Sequence, residues 1–145
     1  MDSCQRRIAT FEDYLLTLDA WEYDLLRYST LFFDAFTISN DLSTSFAAGS
    51  DGSEKYGTDG AFGWMISNDS GERVASGMGP SRGWRMDSYR AECSGMLSLL
   101  RFLIRLGAYT FHVGSWNGTI GTDSRSMLEK LFGTTRVREG DYYKP

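Results

Sequence analysis

Apolar residues recur at three- and four-residue steps in two long stretches of the chain. The more regular one, SYRAECSGMLSLLRFLIRL from Ser88 to Leu106, predicts one long helix. At about 100° per residue, Met96, Leu99, Leu103 and Leu106 share its core face. Arg90, Ser94, Ser98, Arg101 and Arg105 form a narrow stripe opposite, read as the solvated face. Glu92 breaks the pattern, because it falls on the core face in the first turn. A carboxylate buried there needs a cation, a metal or a neutralising proton.

The other periodic stretch runs from Met1 to about Thr37. Phe11, Tyr14, Leu15, Leu18, Trp21, Leu25 and Leu26 recur at helical spacing with no Pro or Gly between them. Thr10 followed by Asp13 is an N-cap signal, and a further helical turn is expected through Leu31, Phe32, Phe33 and Phe36. So much aromatic surface calls for a partner.

Between these stretches the pattern changes to short runs bounded by turn residues. TSFAAGSD (Thr44 to Asp51), AFGWMIS (Ala61 to Ser67) and RVASG (Arg73 to Gly77) predict three antiparallel strands joined by GSEKYGTDG and NDSGE. After the long helix, TIGTD (Thr119 to Asp123) predicts a further strand and SRSMLEKLF (Ser124 to Phe132) a short helix. A helix between two strands suggests a crossover, which makes the new strand parallel to an earlier one. The expected fold class is therefore α/β: a mixed sheet with helices packed on it. A helical arm at 1–42 precedes the domain at 43–145.

The chain of 145 residues carries a net charge of −4. From Met1 to Phe36 there are three basic residues against seven acidic ones, which leaves twelve of each in the remainder. The acidic excess belongs to the arm. The neutral remainder lacks the footprint of a tight, sequence-independent nucleic-acid binder. Cys4 and Cys93 form neither a metal-spacing motif nor a disulfide framework. No signal-peptide or membrane-spanning pattern is found, so an intracellular location, cytoplasmic or nuclear, is expected.

The candidate chemistry lies at strand ends. If TIGTD lies beside TSFAAGSD, Asp51 and Asp123 end neighbouring strands at one edge, each after small residues. Ligands of open α/β sheets bind outside such ends. Glu92, at the start of the connecting helix, is placed to reach the same point. Three converging carboxylates repel one another unless a hard divalent cation joins them, and oxygen ligands suit Mg²⁺ or Mn²⁺ better than zinc. Each residue also has a plain reading: Asp51 as a turn residue, Glu92 as a partner of the helix dipole, Asp123 as an N-cap. His112, the single histidine, reads as structural or surface. Arg82, Arg85 and Arg90 flank the helix start, and Trp84 is a candidate for stacking on a substrate.

Four motifs in order, SDGS at Ser50, GAFGWMIS at Gly60, YRAEC at Tyr89 and GTDS at Gly121, resemble the type 1 ribonuclease H domain. The likeness is to the form carried on reverse-transcriptase polyproteins of retroelements, and it covers most of the chain from Ser45 to Phe132. The segment YLLTLDAWEYDLL resembles the stretch that precedes such domains. The resemblance implies an RNase H-like sheet with Asp51, Glu92 and Asp123 as catalytic ligands of two Mg²⁺ ions. The implied activity is hydrolysis of the RNA strand of RNA–DNA hybrids. One ion would activate the attacking water and the other would stabilise the leaving 3′ oxygen.

The family pattern continues with a fifth strand, for which TTRVRE is the candidate, and with a late helix bearing a fourth acidic residue. No helix of that kind follows Phe132, so the domain is expected to be incomplete at its C-terminus, with loss of activity through that truncation as one expected outcome. Asp141 lacks the helical setting of that ligand. The alternative is a non-catalytic RNase H-like scaffold or interaction module, in which the arm docks on a preceding reverse-transcriptase or other domain.

Overall fold

A computed structural model describes residues 10–55, 59–81 and 88–122 of the chain. In order, the elements are α1 (Phe11–Leu15), α2 (Ala20–Leu26), β1 (Thr30–Leu31), α3 (Ala35–Thr44), β2 (Phe46–Lys55), β3 (Asp59–Asn68), β4 (Arg73–Ser81), α4 (Ser88–Tyr109) and β5 (Gly118–Thr122). The five strands form one mixed sheet in the order β1-β4-β3-β2-β5. The pairs β2–β3, β3–β4 and β1–β4 are antiparallel, and β5 lies parallel to β2. Helix α4 is therefore the crossover expected from the sequence.

The three-strand meander follows from alternation and turn chemistry. Asn68 closes the β3–β4 turn. Its side-chain oxygen accepts from the amides of Ser70 at 3.1 Å and Glu72 at 2.9 Å, and Gly71 supplies a positive φ of 83°. One face of the sheet is apolar and covered. Phe46, Ala48, Phe62, Trp64, Ile66 and Ala75 are buried there beneath Met96, Leu99, Phe102, Leu103 and Leu106 of α4. The rings of Phe46, Trp64 and Phe62 lie over Gly118, Gly77 and Gly79, where a Cβ would overlap them. No described element covers the opposite face. Its residues include Ala47, Asp51 and Ala61, all exposed, and Met78 at 64% exposure.

The arm differs from the continuous helix that its periodicity predicts. It breaks into three short helices and the two-residue strand β1. Thr10 caps α1 as expected, its hydroxyl accepting from the Asp13 amide at 3.1 Å. Asp34 caps α3, accepting from the amides of Phe36 and Thr37 at 3.0 and 3.1 Å. Leu31 and Phe32 are not helical: Leu31 pairs with Ala75, and the Phe32 amide donates to the Val74 carbonyl at 3.0 Å. A sheet edge with free backbone groups outcompetes a helix whose aromatic residues have poor helical propensity. Among the described residues, the fifth strand of the sheet is β1, from the arm; the candidate TTRVRE lies outside them.

The polar stripe of α4 is solvated at Arg90 but not beyond Ser94. Ser98 is fully buried, accepting from Trp64 Nε1 at 2.9 Å and donating to the Leu25 carbonyl at 2.8 Å. Arg101 and Arg105 both hold Glu22 of α2, a carboxylate only 1% exposed. The Arg105 guanidinium, before any other influence, holds the Glu22 carboxyl below its ordinary range, with Arg101 adding to the effect against the opposing cost of burial. The flank left to solvent carries Leu97, Leu100 and Ile104 instead. Among the described residues, no helix is long and apolar enough to cross a membrane.

Candidate active site at the β2–α4 contact

Asp51 sits within β2, not at its end, because β3 pairs with β2 as far as Lys55–Asp59. It does mark the end of the described parallel pairing: Gly49 faces Gly121 and Ser50 faces Thr122. Asp123 follows Thr122 in the sequence and lies outside the described residues. Ser50 and Gly52 turn toward α4, so alternation turns the Asp51 side chain to the open face. That carboxylate is exposed and accepts a hydrogen bond from the Gly52 amide at 2.8 Å. It lines a shallow concavity of about 600 Å³ together with Gly49, Gly63, Met65, Ser76 and Met78.

Glu92 is buried, 6% exposed, in the first turns of α4, as its place on the apolar face predicts. Glycine lets the backbone beside Asp51 approach the backbone of Glu92. A Cβ on Gly52 would stand 2.5 Å from the Glu92 nitrogen and 2.6 Å from the Ala91 carbonyl oxygen. One turn on, a Cβ on Gly95 would stand 3.1 Å from the Asp51 carbonyl oxygen. Backbone therefore meets backbone where α4 begins. Gly52 falls in the loop GSEKYGTDG expected from the sequence and Gly95 inside a helix, so neither close approach was legible.

Carboxylate oxygens suit a hard cation. Asp51 and Glu92 offer carboxylate oxygens without thiolate or imidazole, the chemistry of Mg²⁺ or Mn²⁺. Among the described residues, no group of three or more His, Cys, Asp or Glu side chains is close enough to hold a metal. Asp51 and Glu92 thus flank β2 from its two faces. Arg82, Arg85 and Trp84 lie outside the described residues, as does Asp141. His112 stacks on Trp116 with ring centroids 4.8 Å apart, in the link after α4, which fits a structural role.

No protein-family model and no curated protein matches the sequence. Among solved structures, the chain is similar to RNase H proteins. One is LC11-RNase H1 in complex with an RNA/DNA hybrid, at 15% identity and a TM-score of 0.46, covering 65% of this chain and 65% of that one. Another is the N-terminal RNase H domain of a Mycobacterium tuberculosis protein, solved as a fusion with maltose-binding protein. It has 16% identity and a TM-score of 0.42, with 67% of this chain and 65% of that one covered. The chain thus spans slightly less than two thirds of either structure's length.

Proposed function

We propose that this chain is an RNase H-like domain that hydrolyses the RNA strand of RNA–DNA hybrids with divalent metal. The observation that carries the reading is the contact of Asp51–Gly52 with Ala91–Glu92 at the start of a crossover helix. It joins the strand that carries Asp51 to the helix that carries Glu92, in a mixed sheet where β5, the strand before Asp123 in the sequence, lies parallel to β2.

In this reading Asp51, Glu92 and Asp123 hold the metal. Mg²⁺ or Mn²⁺, when bound, supplies Lewis-acid activation of water and charge stabilisation at the leaving oxygen. Asp51, on the solvent side of β2, offers its oxygens to the incoming phosphodiester side. Glu92, buried, is the rigid ligand, since the glycine contact fixes its backbone. The open concavity beside Asp51 leaves room for a duplex backbone, and recognition of RNA would rest on the 2′-hydroxyl and duplex shape.

The test is cleavage of an end-labelled RNA–DNA hybrid in Mg²⁺ or Mn²⁺. Metal-dependent cutting of the RNA strand, lost in Asp51→Asn, is the expected result. Absence of cutting, or equal cutting by the variant, overturns the catalytic reading. A non-catalytic scaffold is the second reading, favoured by the placement of Asp51 and Glu92 on opposite faces of β2. That reading expects no thermal response to either ion.

A further inference from the structure

A second concavity, of about 310 Å³, lies between the arm and the C-terminal end of α4. By the rise of 1.5 Å per residue it is about 25 Å along α4 from Glu92. Aromatic rings make its walls: Phe11, Phe33, Phe36 and Tyr109. The Phe11 and Phe36 rings approach Tyr109 with centroids 5.6 and 5.8 Å away, the former edge-on. Phe36 is 54% exposed and Phe33 40%, unusual exposure for two phenylalanines at one mouth. Carboxylates complete the lining, from Glu12 and Asp34.

Among the described residues, the charged groups that line this cavity, Glu12 and Asp34, are both acidic. The Thr37 hydroxyl, and then the amides of Thr37 and Phe36, hold Asp34 below the ordinary aspartate range, so it stays ionised at neutral pH. Burial first, and then the charges of Glu12 and Asp13, push the Tyr109 phenol up. Among the described residues, Glu12 makes no ion pair. Aromatic faces carry negative quadrupole density, and with carboxylates at the rim they attract a cation while repelling phosphate. The strand β1, at the end of the sheet among the described residues, supplies Leu31 to the same wall. An extended peptide can add its backbone along such an edge.

We propose that this cavity receives the arginine or lysine side chain of a basic, extended peptide segment belonging to another protein. The aromatic-acidic arm thereby becomes a docking module whose occupant is cationic protein, not nucleic acid. The inference is independent of metal binding at Asp51, because the two sites share no residue.

The probe is a fluorescein-labelled Ala-Arg-Ala-Arg-Ala peptide, titrated into the full chain and followed by anisotropy. Its citrulline counterpart keeps the shape and removes the charge. Saturable binding of the arginine peptide is expected, with the citrulline peptide at least about tenfold weaker. Phe36→Ala and Glu12→Gln alter exposed side chains, and each is expected to weaken binding about threefold to tenfold with an unchanged circular dichroism spectrum. Equal binding of the two peptides, no binding to the full chain, or indifference to Phe36→Ala overturns the proposal. Binding that emerges only when residues 1–9 are deleted also overturns it, since Arg6 and Arg7 of the chain itself would then be the occupants.

Discussion

Gly52 lies so close to Glu92 that a methyl group at position 52 would stand 2.5 Å from the Glu92 nitrogen. This contact fixes the start of α4, and with it Glu92, against β2. Gly52→Ala must push backbone from backbone, since no flexible side chain is there to yield. Overpacking of this kind costs about 1–3 kcal/mol, and the rigid neighbours place it at the upper end. Gly63→Ala is the control, because its Cβ would meet only the Gly77 carbonyl oxygen at 3.7 Å. Thermal melts are expected to show a drop of several degrees for Gly52→Ala and little change for Gly63→Ala.

The Glu22 cluster predicts a pH-dependent stability. Its folded carboxyl lies below the ordinary value of 4.5, so the stabilisation is complete above that value and fades as pH falls through the folded value. Glu22→Gln leaves Arg101 and Arg105 without their shared anion. Both arginines are about a quarter exposed, which tempers the cost to about 2–3 kcal/mol. The gap in melting temperature between wild type and variant should hold from pH 7 to about 5 and narrow at lower pH. A gap that widens on acidification would contradict the assignment.

Ser98→Ala removes the acceptor for Trp64 Nε1 and the donor to the Leu25 carbonyl. Leaving a buried indole N–H unpaired costs about 1–3 kcal/mol. Chemical denaturation should register that loss with an unchanged slope. Substitution at Ser94, on the accessible part of the same helix, should have an effect within about 0.5 kcal/mol.

The end of α4 holds a correctable strain. Phe111 takes a φ of 54° while its side chain is 85% exposed. The His112 amide donates to the Gly107 carbonyl at 2.9 Å and the Phe111 amide to the Ala108 carbonyl at 3.3 Å, the pattern of a Schellman cap. Glycine suits that left-handed position better than phenylalanine. Phe111→Gly is expected to stabilise the chain by about 1 kcal/mol, read as a higher melting temperature.

The legible parts of the fold were those governed by local period. Leu99, Leu103 and Leu106 mark the core face of α4 and carry Glu92 with them into the buried set. Alternation and turn residues give the meander, and the crossover logic gives β5 beside β2. Long-range pairing was not legible. Arg101 and Arg105 read as solvated because their partner Glu22 lies 79 and 83 residues away. Glu22, one of two carboxylates on the aromatic helix α2, with two arginines spaced by four on α4, was the available signal. The strand at Thr30–Leu31 was hidden for a similar reason: an edge hydrogen-bonding to Val74 and Ala75 leaves no periodic mark in so short a run. Of the candidate site, Asp51 and Glu92 could be singled out by residue type and position, while their placement on opposite faces of β2 depends on the register with β3.

Divalent metal binding by Asp51 and Glu92 is the claim on which the functional account stands. Isothermal titration of the full chain with Mn²⁺ measures it most directly, beside Asp51→Asn and Glu92→Gln. The account predicts saturable binding in the wild type that weakens at least about tenfold in each variant. Absence of binding to the wild type, or equal binding by all three proteins, would contradict it.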